Sequence, residues 1–386
     1  MIALCVRIEE FPMYLEFYGF QEKPFSLTPD PRFVFLSKQH REAFAHILYG
    51  INNRVGFIAL TGEVGSGKTT VLRTLLNQLD VDHYRTALIF NPCLSPPELL
   101  QSINREFGIP ASDSHCVNIL DALNRFLLQQ NAEGRTVVLV IDEAQKLKPS
   151  VLEQVRLISN LETDTEKLIQ IVLAGQPELV QILESESARR AFNILAGPWE
   201  VPSVPEGVAL DQFQEMERAA RERKLRLYKF SGNLGTLLRI NSPAVLELTF
   251  PGVAGRRFIS LVGKEGELLL IEPMIAGRNW LSFDEVERYW SGHAFLLWKD
   301  PLNLLTNTSQ ELRGDNIKRL QGLLKEAGAH RLDLTGVYDA PTISAVKSFQ
   351  LSKGIHQDGI VGNQTLMLLY RSVDHYAVPE LTAGKK

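Results

Sequence analysis

Residues 62–69, GEVGSGKT, have the types and the spacing of a loop that binds the phosphates of a nucleotide. Glycines in such a loop let the backbone wrap around phosphate oxygens and direct its N–H groups inward. Lys68 is predicted to reach the β- and γ-phosphates and Thr69 to hold the metal, so the implied ligands are ATP and Mg²⁺. The residues predicted to surround the phosphates are Gly62, Glu63, Val64, Gly65, Ser66, Gly67, Lys68, Thr69 and Thr70.

An acidic pair at the end of a later apolar run, Asp142 and Glu143 in VVLVIDEA, could complete this site. Asp142 is predicted to anchor the magnesium ion through its water shell, and Glu143 to orient or deprotonate an attacking water. The alternative is a turn that carries two solvated carboxylates. The position of the pair after Lys68, in the same predicted sheet, favours the catalytic interpretation.

Three further polar positions could take part in the chemistry. Gln176, in LAGQPEL, is predicted to sense the γ-phosphate as a catalytic residue beside Lys68 and Glu143, with an ordinary turn residue as an equal alternative. Arg189 or Arg190 could reach the nucleotide of a neighbouring subunit as an arginine finger. Adjacent arginines at a helix end are otherwise simply solvated.

These groups require a scaffold that brings distant segments together, and the pattern of the first half supplies one. Four short apolar runs read as buried strands: GFIALTG, RTALIFNP, TVVLVIDEA and KLIQIVLAG. Helical segments separate them, and SPPELLQSINREFG has a complete set of helix signals, from the N-cap Ser95 to the stop at Gly108. The alternation predicts a parallel α/β sheet covered on both faces.

The pattern changes after about residue 190. Three apolar runs separated by glycine-containing turns, PAVLELTF, RRFISLVG and GELLLIEP, predict a small antiparallel sheet. Near the end, Gly336 precedes Thr342 by the same six residues that separate Gly359 from Thr365. We expect two matching turns, each leading into a helix with the threonine as its N-cap.

Composition excludes some classes of function. The 386 residues carry a formal net charge of −4, which argues against broad nucleic-acid binding. The three cysteines, Cys5, Cys93 and Cys116, are too few and too clustered for a disulfide framework, so we expect reduced thiols. No apolar run is long enough for a transmembrane helix. Translation could start at Met1 or at Met13.

Residues 13–184 resemble the general secretion pathway protein A family, AAA-type ATPases also called ExeA or GspA. The resemblance lies in MYLEFYGFQEKPFSLTPDPRFVFLS, GEVGSGKTT, ALIFNPCLSPPELLQSI, VVLVIDEAQKL and EQVRLISNLETDTEKLIQIVLAGQPEL. It implies ATP hydrolysis, a membrane partner of the GspB/ExeB type, possible homo-oligomers, and assistance to the type II secretin as it assembles through peptidoglycan. It also implies a cytoplasmic protein that associates with the inner membrane through its partner.

The chain departs from that family after residue 190, because no recognisable lid or membrane span follows. Instead the sequence resembles the later part of a domain similar to bacteriocin-processing cysteine peptidases. No cysteine follows Cys116, Arg257 and Phe258 stand where such peptidases place their histidine, and Glu272 stands where an aspartate is usual. The resemblance therefore implies an inactive remnant and not a peptidase, with His293 as a structural residue.

The last segment resembles a three-helix peptidoglycan-binding module, in IKRLQGLLKEAG, LTGVYDAPTISAVKSFQ and DGIVGNQTLMLLY. Its predicted core residues are Leu320, Leu323, Val346, Phe349 and Leu366. The resemblance implies that turn and groove residues contact the ligand, and the positions expected are Tyr338, Asp339, Asp358 and Asn363.

We therefore predict a multidomain chain. Residues 13–190 form an α/β P-loop ATPase core with a parallel sheet, 191–300 a small α+β peptidase-like remnant, 301–315 a linker, and 316–372 the peptidoglycan-binding domain.

The predicted function is that of an ATP-binding and ATP-hydrolysing component resembling the type II secretion assembly ATPase. Two alternatives remain open. One is an adaptor that binds nucleotide and peptidoglycan with little hydrolysis, because the missing lid would leave the pocket unclosed. The other is a DNA-transposition helper ATPase, which the acidic balance and the cell-wall module disfavour.

Overall fold

A computed structural model of the protein describes residues 17–21, 36–90, 93–110, 116–163, 166–250, 254–275, 278–304 and 313–382. The chain divides into two compact units, residues 1–177 and 178–386. The ATPase core is predicted to extend to residue 190, whereas the division falls between Pro177 and Glu178. Residues 178–190 therefore lie in the second unit.

The first unit is built on a four-stranded sheet in which all strands are parallel, as the alternation of strands and helices predicts. The strands are β1 (Phe57–Thr61), β2 (Tyr84–Ile89), β3 (Thr136–Ile141) and β4 (Ile169–Gly175). Their order across the sheet is β1-β4-β3-β2. Because all four run the same way, their carboxyl ends meet at one edge.

Helices of the first unit connect and cover these strands. They are α1 (Lys38–Asn52), α2 (Lys68–Gln78), α3 (Pro96–Glu106), α4 (Cys116–Ala132) and α5 (Pro149–Ser159), with a short 3₁₀ turn at Ala144–Lys146. The predicted capping of α3 is confirmed, because Glu98 Oε2 accepts a hydrogen bond from the Ser95 backbone N at 2.7 Å.

One face of the sheet packs on α1 and α2. Strand positions two residues apart contribute to the same core, because side chains alternate between the faces of a strand. The buried residues of this core are Ile47, Ile51, Val71, Leu72, Leu75, Leu79, Val138, Val140, Val172 and Ala174. This packing fixes the start of α2, and with it Lys68 and Thr69, relative to β3 and β4.

The second unit contains a six-stranded antiparallel sheet. Its strands are β5 (Arg226–Ser231), β6 (Ala244–Leu248), β7 (Arg257–Glu265), β8 (Leu268–Ile275), β9 (Arg278–Ser282) and β10 (Trp290–Trp298), in the order β5-β10-β6-β7-β8-β9. The three predicted strands are confirmed as β6, β7 and β8. The other three, β5, β9 and β10, were missed because none begins as an apolar run: β5 and β9 carry charged residues, and β10 opens with a polar segment around Gly292 and His293.

Helix α6 (Glu178–Ala196) packs against this sheet. Helix α7 (Phe213–Glu222) precedes β5, and α8 (Leu234–Ile240) lies between β5 and β6. Ser260 Oγ on β7 donates to the Ala191 carbonyl at 3.0 Å. At the approach to β7, Glu184 Oε1 accepts from the Arg256 backbone N at 2.6 Å. These bonds give the physical reason why α6 belongs to the second unit.

Three helices form the C-terminal module: α10 (Asp315–Glu326), α11 (Ala340–Ser352) and α12 (Asn363–Arg371). All five predicted core residues of this module are buried. Helix α9 (Phe283–Tyr289) precedes β10. Between β10 and α10, part of the predicted linker at 301–315 lies outside the described residues.

Two equivalent glutamines organise the turns between these helices. The Gln350 side chain is 1% exposed, and its Oε1 accepts from the Gly359 N at 2.9 Å. Its Nε2 donates to Asp358 Oδ1 at 2.8 Å and to the Ile360 carbonyl at 3.0 Å. A single buried amide thus provides hydrogen-bond partners for the backbone N of Gly359 and the carbonyl of Ile360 in this turn.

Gln321 repeats the arrangement one helix earlier. Its Oε1 accepts from the Gly336 N at 2.9 Å, and its Nε2 donates to the Val337 carbonyl at 3.0 Å and to Thr342 Oγ1 at 2.9 Å. The two predicted matching turns are therefore present.

The predicted capping role of the two threonines is wrong. The N-cap of α11 is Asp339, whose side chain accepts from the Thr342 N, and the N-cap of α12 is Gly362. Thr342 and Thr365 instead occupy the third helical position and are buried against Gln321 and Gln350. Their hydroxyl groups accept hydrogen bonds from the buried amides and do not cap the helix.

The helical module packs directly on the antiparallel sheet, within one unit. Tyr370 OH donates to Asp300 Oδ1 at 2.7 Å, and Arg371 donates to Ser242 Oγ at 2.8 Å. The segment after α12 returns to β7, where the Thr382 N donates to the Val262 carbonyl at 3.2 Å. The module and the sheet therefore share one hydrophobic core.

We predict that Gln350→Leu lowers the free energy of unfolding of the second unit by about 2 kcal/mol, because it leaves buried polar groups of the turn without partners. All four tryptophans lie in the second unit, so tryptophan fluorescence during urea unfolding reports on it selectively.

The matched control is Gln357→Leu, since Gln357 is exposed on the same turn. Equal unfolding midpoints for the two variants would show that the buried amide does not organise the turn.

Candidate functional site

The loop between β1 and α2 is closed by its own backbone. The Gly62 N donates to the Gly175 carbonyl at the end of β4, at 3.2 Å, and the Ser66 N donates to the Glu63 carbonyl at 3.1 Å. Gly65 and Gly67 have φ angles of 78° and 83°, in the left-handed region that favours glycine. The predicted loop residues thus form one continuous turn that leads into α2.

Lys68 lies over this loop. Its Nζ donates to the carbonyls of Gly62 and Glu63, both at 2.8 Å. The two carbonyl oxygens therefore hold the ammonium above the loop. A phosphate that entered the loop could accept from the same Nζ, which is the role predicted for Lys68.

The other predicted phosphate-loop positions differ in their surroundings. Val64 is fully on the surface, with 77% of its area exposed. Thr70 lies within α2, where its carbonyl accepts from Thr74 Oγ1 at 2.8 Å. Their predicted contribution is therefore through backbone N–H groups, of the loop for Val64 and of the first turn of α2 for Thr70.

The structure brings Thr69 and Asp142 together from two different strand ends. Thr69 Oγ1 donates to Asp142 Oδ2 at 2.7 Å. Asp142 is only 4% exposed, and its backbone N donates to the Ile89 carbonyl at 2.9 Å, which fixes it at the end of β3. The pair offers one hydroxyl and one carboxylate oxygen.

These oxygens suit Mg²⁺, which takes hard oxygen ligands and commonly keeps several waters beside one or two protein groups. Within the described ranges, no cluster of three or more His, Cys, Asp or Glu could hold a metal ion without other ligands. The donor set therefore fits a metal that shares its coordination with phosphate oxygens, as predicted for Thr69 and Asp142.

Glu143 follows Asp142 in a left-handed backbone conformation, with φ of 56°. Lys146 Nζ lies 3.0 Å from Glu143 Oε2, and Gln145 Nε2 donates to the same oxygen at 3.1 Å. The hydrogen bond from Lys146, assisted by that from Gln145, lowers the pKa of the Glu143 carboxyl below its usual value. The carboxylate is therefore ionised at neutral pH, as a group that orients water must be.

Gln176 reaches the same edge of the sheet from the end of β4. Its backbone N donates to Gln145 Oε1 at 3.1 Å, and Gln145 in turn bonds to Glu143. A continuous chain of hydrogen bonds thus runs from the predicted sensor segment to the predicted catalytic carboxylate.

Sequence reasoning missed three residues of this site. Gln145 and Lys146 follow Glu143 directly, and their position in a 3₁₀ turn after an acidic strand end was the available signal. His40, on α1, contacts the Ser66 carbonyl through its Nε2 at 2.8 Å. Nothing in the local sequence marks His40, because the contact joins segments 26 residues apart.

The predicted inter-subunit arginine is not supported for Arg189. This side chain is 7% exposed, and its Nη2 donates to Glu186 Oε2 at 2.6 Å on the same helix. Arg190 also makes an interaction within the chain. The Arg189 guanidinium is therefore engaged and is not presented to a neighbouring subunit in this conformation.

The positions compared with a cysteine peptidase lie on β7 and β8. Phe258 is buried at the start of β7, and Glu272 pairs with Ser260 across the two strands. His293 Nδ1 lies 3.0 Å from Ser231 Oγ, where β10 pairs with β5. No cysteine follows Cys116 in the sequence, so this unit contains no thiol.

In the helical module, three of the four predicted ligand-contacting residues have structural partners. Asp339 caps α11, and Asp358 accepts from Gln350. Tyr338 OH donates to the Gly359 carbonyl at 2.8 Å, and burial raises the pKa of this phenol to about 12. Asn363, at the first position of α12, is the remaining candidate for direct ligand contact.

Among the helices formed by the described residues, none is both long enough and apolar enough to cross a bilayer.

Comparison with known families agrees with the two predicted motif regions. Residues 51–183 match the AAA domain family, and residues 313–369 match a peptidoglycan binding domain family. General secretion pathway protein A from Aeromonas hydrophila is 47% identical over 179 residues, which cover 46% of this chain and 32% of that protein. The match thus spans about a third of the length of this relative.

Solved structures show weaker likenesses. The periplasmic domain of the EpsAB fusion protein of the Vibrio vulnificus type II secretion system is 18% identical, with a TM-score of 0.32, and the match covers 51% of this chain and 83% of that chain. The peptidase domain of Streptococcus ComA is 11% identical, with a TM-score of 0.27, and the match covers 30% and 93% of the two chains.

The predicted resemblance is confirmed by the sequence identity and by both family matches. The chain carries an AAA domain followed by a peptidoglycan-binding domain, and 46% of its length is homologous to general secretion pathway protein A.

Proposed function

We propose that the first unit binds ATP with Mg²⁺ and hydrolyses it. The observation that carries this proposal is the contact of 2.7 Å between Thr69 Oγ1 and Asp142 Oδ2, beside the Lys68 ammonium and the Glu143 carboxylate. A phosphate-binding loop, two oxygen ligands for a metal and an ionised carboxylate meet at one sheet edge. That set of groups is what phosphoryl transfer to water requires.

Each residue has a distinct task in this proposal. The loop amides and Lys68 hold the β- and γ-phosphates in place, and a bound Mg²⁺ would neutralise part of their charge. Thr69 and Asp142 would hold that metal. Glu143 orients a water molecule and accepts its proton. Gln176 lies next to the γ-phosphate and senses it.

At the level of the cell, we propose a component resembling the type II secretion assembly ATPase, which helps the secretin to insert through peptidoglycan. The homologous region and the C-terminal domain support this role. Its partners would be peptidoglycan, a membrane protein of the GspB/ExeB type and further copies of the chain. We place the protein in the cytoplasm, associated with the inner membrane through that partner.

We propose the domains that the sequence predicts: an ATPase core at 13–190, of which residues 178–190 pack with the second unit, an inactive peptidase-like domain at 191–300, a linker at 301–315 and the peptidoglycan-binding domain at 316–372. The absence of any cysteine after Cys116 supports the loss of peptidase activity, because no thiolate is available as nucleophile.

A second candidate is an adaptor that binds nucleotide with little turnover. It is favoured by the ion pair of 3.0 Å between Lys146 Nζ and Glu143 Oε2, because a carboxylate held in this way is a weaker acceptor for the proton of water. Hydrolysis would then require that Glu143 be released from Lys146.

The first prediction for this site separates binding from hydrolysis. Lys68→Ala is expected to weaken ATP binding roughly 10- to 100-fold, because it removes a charge-assisted hydrogen bond to phosphate. Glu143→Gln is expected to bind ATP as the wild type does and to hydrolyse it roughly 10²- to 10⁴-fold more slowly. Calorimetry with ATP and Mg²⁺, and a phosphate-release assay, measure the two effects.

Equal ATP affinity in wild type and Lys68→Ala would remove the assigned site. The adaptor function would be supported if the wild type binds ATP tightly but releases no phosphate. Phosphate release by Lys146→Ala would then show that Lys146 restrains Glu143.

A further prediction concerns the helical module. Asn363→Ala is expected to reduce co-sedimentation of the full chain with purified peptidoglycan several-fold, without a change in thermal unfolding, because this side chain is the predicted contact residue without a structural task. Gln357→Ala, on the exposed turn before α12, serves as the control. Unchanged sedimentation of Asn363→Ala would place the binding surface elsewhere on the module.

A further inference from the structure

We propose that His40 is a positioning residue of the phosphate-binding loop: it sets the direction of the peptide group between Ser66 and Gly67. This inference rests on the nucleotide binding proposed above and adds a specific determinant of affinity to that same site.

The contact is a single, well-defined hydrogen bond. His40 lies in the first turn of α1, where its backbone N donates to the N-cap hydroxyl of Ser37 at 3.3 Å. Its Nε2 lies 2.8 Å from the Ser66 carbonyl oxygen. A carbonyl can only accept, so the proton resides on Nε2. The other ring nitrogen, Nδ1, is buried and has no hydrogen-bond partner among the described residues.

The same ring packs against the next residue of the loop. A Cβ atom at Gly67 would lie 3.0 Å from His40 Nε2 and 3.3 Å from His40 Cε1, which is closer than side chains normally approach. Gly67 also has a φ of 83°, which a residue with a side chain rarely adopts. The ring therefore lies directly on the backbone at the point where the loop enters α2.

Because the peptide group is planar, this contact also determines the direction of a backbone donor, the Gly67 N–H. The Ser66 carbonyl and the Gly67 N–H belong to one planar trans peptide group and point in opposite directions. Because His40 holds the carbonyl toward α1, the Gly67 N–H points away from α1. Glycine at position 67 would otherwise permit this peptide to rotate, which would present a carbonyl oxygen to a phosphate in place of a donor.

The test compares three full-length chains: wild type, His40→Phe and His40→Gln. Phenylalanine keeps a ring against Gly67 and removes the donor, whereas glutamine supplies an N–H of similar reach. Isothermal calorimetry with ADP and with ATP, each with Mg²⁺, measures affinity. Hydrogen exchange over the rest of the first unit shows that the variants are folded, and His40→Leu replaces His40→Phe if the latter is not.

We expect His40→Phe to bind both nucleotides about tenfold more weakly, the equivalent of one lost hydrogen bond, and His40→Gln to bind within about threefold of wild type. A purely structural role would lower stability in both variants alike without this rescue. Equal affinities in all three chains, or equal losses in both variants, would overturn the inference alone. A wild-type chain that binds neither nucleotide would overturn the proposed function, and the inference with it.

Discussion

The arrangement of the first unit depends on one constraint: parallel strands end at the same edge of their sheet. In the order β1-β4-β3-β2, strand β4 lies between the strand that leads to Lys68 and Thr69 and the strand that ends at Asp142. The hydrogen bond of 2.7 Å from Thr69 to Asp142 therefore joins the segments that follow β1 and β3, which are not neighbours in the sheet. Three strands thus bring the loop, the proposed metal ligands Thr69 and Asp142, and the segment of Gln176 to one place.

Around that contact, Lys68 and Glu143 have different partners. The Lys68 ammonium donates to two backbone carbonyls, those of Gly62 and Glu63. Glu143 is different, because Lys146 neutralises it and Gln145 connects it to the backbone of Gln176. In the proposed function, hydrolysis therefore depends on how easily Glu143 separates from Lys146.

The second unit is subject to a different constraint, because a small helical module has little hydrophobic core of its own. Two buried amides, Gln321 and Gln350, satisfy the backbone of its turns, and the module extends its core by packing on the antiparallel sheet. Tyr370 and Arg371 fix that packing through Asp300 and Ser242. The peptidoglycan-binding domain is therefore held by the sheet and is not a freely tethered module.

The sequence by itself determined whatever depends on residues close together in the chain. The spacing from Gly62 to Thr69, the acidic end of β3 and the capping box of α3 were all predictable, because the loop, the strand end and the helix start each need a local set of residue types. Only the tertiary structure decided that His40 reaches Ser66, and that Thr342 and Thr365 serve buried glutamines. These contacts join residues from different helices and turns, and no local pattern records which distant partner the packing of the core will bring within hydrogen-bond distance.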